Sequence, residues 1–469
     1  MRLWGMWASL VFLSVACAKT AESDSDQQTD AAQSGSSTSA GGATTAVGPG
    51  GAAGAGGEAG AGATCPDGWG DCDDEPLNGC EVNIKTNASN CGACGEKCPF
   101  GEASYATCID AMCELVCTQG YQDCDGDAET GCEAHTASDP VNCGACGVLC
   151  HGTCSDGACD PDDLATGRLH PTAIELSATH VYWSEMGTYP YYNDGGVLSV
   201  PLAGGAPTKL ATTATAAFGL AVDATHAYYT ERGSGNLTNG VLSRVPLAGG
   251  TAEVLATNLF APSNVVVDAT HVYWTNAGAY PAYIDGSINR VPLAGGTVEV
   301  IASGMYKPFF LAVNDTDVYW TNSGQEVNMF TDGALYKAPK VGGMATKLED
   351  GSLMYGVVLD ATNVYYNETG KNTLWRKPLA GGSPTALATG QQNNIFLTQA
   401  ADDLHWANFG IPDMNSGTIR SVPKMGGNIQ TAASNQGTPY DIEVDATHVY
   451  WANYGTQNMN DGGVHRMPL

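Results

Sequence analysis

The chain has 469 residues, of which only 14% are charged and 60 are Gly, and its formal net charge is −30. That length admits several domains, and the composition excludes a helical, Lys/Glu-rich cytosolic design. The charge excludes a nucleic-acid partner, whose phosphates need Lys and Arg to displace their counterions, and electrostatic docking on anionic lipid.

Met1 to Ala16 has a basic start at Arg2 and an apolar run through Leu10, Val11, Phe12, Leu13 and Val15, the pattern of an export signal. The run is too short to span a bilayer. It ends in LSVAC, Leu13 to Cys17, which resembles the lipobox of bacterial lipoproteins, with Ser14 where that family usually has Leu. The resemblance implies that residues 1–17 are a signal ending in an anchor cysteine, Cys17, which is lipidated and becomes the new N-terminus. Ala18 in the following position implies the outer membrane. The expected location is then the cell surface, with membrane contact only through the lipid. Cleavage around Ala16-Cys17-Ala18 without lipidation would give a secreted protein instead.

Residues 18–64 are Ser, Thr, Ala and Gly with a few acids. Such a segment cannot bury enough apolar surface to offset its ordering entropy, and a disordered linker is expected. As a flexible chain it separates its ends by roughly 40 Å.

Sixteen cysteines follow, in two copies of one pattern. Module 1, residues 65–113, holds Cys65, Cys72, Cys80, Cys91, Cys94, Cys98, Cys108 and Cys113; module 2, residues 117–159, holds Cys117, Cys124, Cys132, Cys143, Cys146, Cys150, Cys154 and Cys159. NCGACG recurs at Asn90 and Asn142, and GCE at Gly79 and Gly131. In an exported chain an even count predicts disulfides, because units this small have little core of their own. Eight cysteines allow 105 pairings, so the spacing assigns none. CGACGEKC and CGACGVLC also have the clustered spacing of zinc or iron–sulfur ligands, which an oxidising compartment disfavours. Asp123, Asp125, Asp127 and Glu129 alternate like the acids of a calcium loop. Their counterparts Asp71, Asp73 and Glu75 alternate less well, and ordinary Asx-turns are the competing reading. No cofactor is expected, and calcium on these acids is the alternative.

From residue 163 to 469 one motif recurs: VYW at Val181, AYY at Ala227, VYW at Val272, VYW at Val318, VYY at Val364, LHW at Leu404 and VYW at Val449. Copies 40 to 46 residues apart predict a propeller or solenoid. In the third copy, Asn264 to Val267 and Val272 to Asn276 flank the turn Asp268-Ala269-Thr270-His271, and PLAGG joins Ser287–Val291 to Val298–Ala302. That order is a four-stranded antiparallel sheet, and such sheets pack radially as blades. The expected fold is all-β, a seven-bladed β-propeller. Asp163-Leu164-Ala165-Thr166-Gly167 matches the fourth-strand ends Ala386 to Gly390 and Leu255 to Thr257, whereas Met467-Pro468-Leu469 ends a third strand. An N-terminal strand is therefore predicted to complete the last blade and remove its open edge.

The VYWTN strands followed by GxIxRVPLAGG resemble the YWTD repeats of low-density-lipoprotein-receptor-type propellers and of related bacterial surface propellers. The resemblance implies the architecture and a binding role. It departs in having seven repeats where that family usually has six, and in carrying Glu185, Glu231, Asn276, Asn322, Glu368, Asn408 and Asn453 at the Asp of YWTD.

Residues that recur around the ring serve the fold, which removes His180, His226, His271 and His448 as catalytic candidates. The Tyr-Trp pairs place an aromatic on each blade face and are expected in the core. Function should lie where repeats differ, on the face carrying the loops between second and third strands and between fourth and first. Candidates there are Tyr189, Tyr191, Tyr192, Tyr280, Tyr283 and Phe330 in the long loops, and His170, Phe218, Lys307, Phe309, Tyr355, Asn393 and Tyr440 at the starts of the inner strands. Tyrosines beside Asn and Asp offer flat surfaces with hydrogen-bonding tips, suited to an extracellular glycan or protein. With no GxSxG, no HExxH and no acid cluster at the inner-strand starts, a monomeric binding protein is expected rather than an enzyme. The alternatives are a propeller hydrolase or lyase acting on extracellular polysaccharide, and a purely structural spacer.

Overall fold

The computed structural model describes residues 65–73, 79–148, 150, 153–411, 415–456 and 459–469. The signal, Cys17, the 18–64 linker and Glu75 lie outside the described residues. None of the described helices is long and apolar enough to cross a membrane. The chain divides into two compact units, one ending at Asp160 and the other running from Pro161 to Leu469.

The cysteine unit is held by eight disulfides, and the two modules pair identically. Cys65–Cys80, Cys72–Cys94, Cys91–Cys108 and Cys98–Cys113 correspond to Cys117–Cys132, Cys124–Cys146, Cys143–Cys154 and Cys150–Cys159. Every cysteine of the unit is consumed, so no thiolate is left for zinc or a cluster. A hairpin, Ser104–Ile109 with Met112–Cys117, runs from module 1 to the first cysteine of module 2. Backbone bonds from Glu102 to Thr130 and from Cys132 to Glu102 join the two modules.

The second unit is a propeller of seven four-stranded antiparallel sheets. Blade 3 shows the repeat: Pro262–Val267, His271–Asn276, Gly286–Pro292 and Glu299–Met305, each hydrogen-bonded to the next. The inner strands are Pro171–Leu176, Ala217–Val222, Pro262–Val267, Pro308–Val313, Met354–Leu359, Asn394–Gln399 and Pro439–Val444, and they follow one another round a closed ring. Asp162–Arg168 is the fourth strand of blade 7, paired with Gly462–Pro468. His465 Nδ1 to Asp163 at 2.7 Å and Arg466 Nε to Asp162 at 3.1 Å reinforce that seam.

Packing follows from strand alternation. Tyr273 points into the cluster with Leu311 and Trp320 of blade 4, while adjacent Trp274 points into the cluster with Leu242 and Tyr228 of blade 2. Each blade thus buries one aromatic on each face. The DATH turn is fixed by its first residue: Asp268 Oδ1 accepts the amides of Thr270 and His271, both at 2.8 Å, and Oδ2 accepts the Tyr273 hydroxyl at 2.9 Å. His271 Nδ1 lies 2.8 Å from Thr270 Oγ1, a turn contact repeated at His180, His226 and His448.

The residues at the Asp position of YWTD are buried in all seven blades. They form polar contacts of their own: Glu185 accepts from Arg168 at 2.6 Å and from Trp183 at 2.8 Å, Glu231 accepts the amides of Ala214 and Thr215, and Asn276 accepts from Trp274.

Candidate binding face

One face of the propeller carries the DATH and PLAGG turns. The other, the loop face, is built on a bond repeated in every blade: the residue after the second strand donates its amide to the carbonyl of the residue before the inner strand. The pairs are Met186–His170, Arg232–Ala216, Ala277–Ala261, Ser323–Lys307, Thr369–Leu353, Phe409–Asn393 and Tyr454–Thr438, at 2.9 to 3.2 Å. His170, Ala261, Lys307, Leu353, Asn393 and Thr438 all hold φ between 49° and 62°. The backbone is therefore a constant frame, and the side chains on it differ from blade to blade.

The long loops are braced from within. Asp194 accepts the amide of Thr188, Asp285 that of Ala279, Asp332 that of Gln325 and Asp461 that of Thr456, at 2.6 to 2.8 Å. Tyr189 packs edge-to-face on Tyr192, and Tyr280 on Tyr283, both pairs with ring centroids 5.9 Å apart. Tyr192 and Phe330 are buried, Tyr189, Tyr280 and Tyr283 are half-buried, and Tyr191 is 81% exposed. Further exposed apolar side chains on these loops are Ile284, Val327 and Met329, with Tyr306 beside them.

The inner-strand starts meet at the axis as an aromatic plug. Phe218 stands 5.7 Å from Phe309 and 6.0 Å from Tyr440, and Phe309 stands 5.7 Å from Tyr355. Tyr440 continues through Tyr454 to His170, with centroid separations of 5.5 and 4.7 Å. Burial pushes the Tyr355 hydroxyl up to about 12 and the Tyr440 hydroxyl higher still. His170 is buried, with Nδ1 2.9 Å from the Gly187 carbonyl and Nε2 3.3 Å from that of Thr456. Asn393 is half-buried and donates to Gly410.

Two charged groups stand beside this plug. Lys307, singled out in the sequence, is 5% exposed; Arg232, which sequence reasoning missed, is 1% exposed, with its guanidinium 4.7 Å from the Phe218 ring centroid. Burial lowers the pKa of Arg232. Burial, then the charge of Arg232, lowers the Lys307 amine to about 8, against the opposing pull of Glu326. Aligning the residues after the second strands would have exposed Arg232, because Met186, Ala277, Ser323, Thr369, Phe409 and Tyr454 share its place and none is charged at neutral pH.

Further along the inner strands lie three acids that sequence reasoning also missed: Glu175, Asp441 and Glu443. They are half-buried by exposed area yet surrounded by protein. Burial raises all three, Glu443 to about 7 despite bonds from Thr398 and the Val444 amide, and the charge of Glu443 raises the other two further. Asp441 Oδ2 accepts the Ile174 amide at 3.0 Å, and Asn264 makes the equivalent bond to Leu311.

A polar cleft of about 350 Å³ opens at blades 6 and 7, lined by Asn415, Asn435, Gln436, Thr438, Asp461 and His465 among others. In the cysteine unit, Asp123 and Asp125 gather with Glu133, and Asp71 and Asp73 with Glu81. Asp127 and Glu129 are not part of that group: Asp127 Oδ1 caps the Glu129 amide, Asp125 caps Asp127, and Glu133 accepts the Cys124 amide. Among the described residues, those that could hold a divalent cation are thus Asp123, Asp125 and Glu133, and their counterparts Asp71, Asp73 and Glu81.

No family model and no curated protein matches the chain. Among solved structures, virginiamycin B lyase from Staphylococcus aureus is similar over 66% of this chain and 99% of its own, at 14% identity and a TM-score of 0.51. A structure described as a streptogramin B lyase gives 14% identity and a TM-score of 0.49 over 66% of this chain and 97% of its own. A nidogen/laminin complex gives 17% identity and a TM-score of 0.39 over 49% of this chain and 87% of that one. At 14% identity the likeness to the Staphylococcus aureus lyase shows the β-propeller fold alone.

Proposed function

We propose that the loop face is the binding face of an exported protein and that it engages an extracellular glycan or protein partner. The observation that carries this reading is the contrast on one frame: the equivalent positions joined by the seven repeated bonds hold unlike side chains, Arg232 and Lys307 among them, and the adjoining loops carry the aromatics Tyr280, Tyr283 and Phe330. Exposed Tyr191, Ile284, Tyr306, Val327 and Met329 extend that surface outward. Binding is preferred to turnover because the raised acids lie further along the inner strands than the aromatic plug. The disulfides suit an oxidising compartment, and in this reading Cys17 carries the lipid and residues 18–64 the reach to the partner.

A thermal-shift screen of the full chain against cell-wall glycans, polysaccharides and candidate proteins tests it. A ligand at 100 times its dissociation constant stabilises the folded state by about 2.7 kcal/mol, and Tyr191→Ala should weaken that gain. A complete screen without any shift would count against a binding face. Metabolic labelling with a fatty acid, lost in Cys17→Ala, tests the anchor.

A further inference from the structure

The loops of blades 3 and 4 hold apolar side chains out in water: Val327 is 85% and Met329 71% exposed, and Ile284 and Tyr306 are exposed beside them. A hub of three residues draws these positions together. The Lys307 amide donates to the Tyr283 carbonyl at 3.1 Å, and the Lys307 amine lies over the rings of Tyr283 at 5.0 Å and Phe330 at 5.4 Å. Ile284, Tyr306 and Met329 are the chain neighbours of those hub residues, and Val327 belongs to the short turn Glu326–Asn328 that precedes Met329. Acids border the patch. Exposed Asp285 follows Ile284, exposed Glu326 precedes Val327, and half-buried Asp332 closes the same loop. Residues 277–286, 303–308 and 323–333 contain no Lys or Arg other than the buried Lys307. Among the described residues, none of the three acids joins a salt bridge.

We propose that this patch docks a segment of a protein partner that carries Lys or Arg among apolar side chains. The inference rests on the loop face being a binding face and chooses protein over glycan. An exposed apolar patch rimmed by polar residues marks a protein or membrane contact. Ile284, Val327 and Met329 offer a sugar neither a flat ring nor a hydrogen-bonding tip, whereas Met and aromatic residues are enriched at the centre of protein interfaces. The acids then select among the remaining occupants. They oppose an anionic lipid surface. They also oppose a second copy of the chain, which would set acid rim against acid rim. The chain's own 18–64 segment is opposed in the same way, since it carries Glu22, Asp24, Asp26, Asp30 and Glu58 against the single cation Lys19. A basic, apolar segment complements both parts of the patch, its cations steered in by the acids and its apolar side chains seated on Val327 and Met329.

The test is selection of a displayed library of random peptides on the full chain, followed by calorimetric titration of the selected peptides in synthetic form. Wild type, Val327→Ser with Met329→Ser, Glu326→Gln, and the control Val341→Ser with Met344→Ser are compared, with melting curves confirming that each variant is folded. Val341 and Met344 are 80% and 90% exposed on the opposite face of blade 4, so they match the patch in exposure but not in surroundings. The selected peptides should combine Lys or Arg with apolar residues. Their affinity should fall at least about tenfold in the Val327 and Met329 double variant, about two- to fivefold in Glu326→Gln, and not at all in the control. Selected peptides that are neutral or acidic, or that bind the double variant as tightly as wild type, overturn the docking patch; so do losses of equal size in the control. Binding to phosphatidylcholine vesicles that the double variant abolishes makes the patch a membrane contact and overturns the protein assignment. If no peptide is selected while a glycan from the thermal-shift screen binds and is weakened by Tyr191→Ala, the protein docking is wrong and the binding face stands; if nothing binds, both fall.

Discussion

Tyr273 donates its hydroxyl to Asp268 Oδ2 at 2.9 Å, and the same Asp–Tyr bond recurs at Asp223–Tyr228, Asp360–Tyr365 and Asp445–Tyr450 at 2.7 to 2.9 Å. Lys340 of the neighbouring blade adds a salt bridge to Asp268 at 2.7 Å. A hydrogen bond to a charged acceptor contributes about 1.5–3 kcal/mol, so Tyr273→Phe should destabilise the propeller by that amount in denaturant titrations. A cycle with Asp268→Asn should return a coupling of at least about 0.5 kcal/mol; additive losses would show that the bond does not act as a unit.

Blade 6 lacks this pair: Ala400 stands at the Asp position and His405 at the Tyr position, with both ring nitrogens buried and without a hydrogen-bond partner among the described residues. Burial lowers the pKa of His405. The double substitution Ala400→Asp with His405→Tyr should stabilise the propeller by about 1 kcal/mol or more, and His405→Tyr alone should do less. Equal effects in the single and double variants would disprove the pairing.

Stability should have opposite pH dependences on the two sides of mildly acidic pH. Burial opposes ionisation of Asp360, but bonds from Tyr365, Thr362 and Asn363 outweigh it and hold the carboxyl down at about 2. Asp268, Asp223 and Asp445 are lowered in the same manner. A depressed acid stabilises the fold above its unfolded pKa, so this contribution is lost as pH falls below about 4. Glu443 is raised to about 7, so the folded state holds its proton more tightly than the unfolded state, and stability falls as pH rises from 4.5 through 7. Denaturation midpoints at pH 5 and pH 8 should differ in that direction, and Glu443→Gln should shrink the difference. An undiminished difference in the variant would remove Glu443 as its source.

Gly219 marks where blades 2 and 3 approach most closely at the axis, because an added Cβ would lie 2.1 Å from the Ser263 carbonyl oxygen. Gly219→Ala should cost about 1–3 kcal/mol as the inner strands are forced apart. A melting curve identical to wild type would show that the ring absorbs the shift.

Reduction should separate the two units. All sixteen cysteines from Cys65 to Cys159 are in the cysteine unit, and residues 161–469 have none. Removing a native disulfide from a small domain costs about 2–5 kcal/mol, so reductant should unfold both modules while the Trp fluorescence of the propeller is preserved. Loss of both signals together would mean that the propeller depends on the modules.

The propeller was legible because its constraints are periodic. A Tyr and a Trp on adjacent residues must face opposite neighbours, and Asp-Ala-Thr-His must turn; repetition made both visible, as it made the closing strand recognisable by its likeness to Ala386–Gly390. The disulfide pairing was not, since sequence spacing says nothing about which Cα atoms end about 5.5 Å apart. Arg232, Glu175, Asp441 and Glu443 were hidden for a related reason. In sequence they read as ordinary polar residues of half-buried strands, and only closure of the ring brings blades 7, 1, 2 and 4 together at the axis. Phe218 and Phe309 were visible as inner-strand aromatics, but their mutual contact depends on the same closure.

The strand Asp162–Arg168 also determines how the molecule carries load. A pull transmitted along the chain from Asp160 reaches the propeller first through this strand, which is bonded on one side to Gly462–Pro468. Its ladder to Gly462–Pro468, with the Asp163–His465 and Asp162–Arg466 contacts, is thus the first element placed under tension. Under force applied along the chain at Asp160, blade 7 would act as the mechanical fuse of the ring.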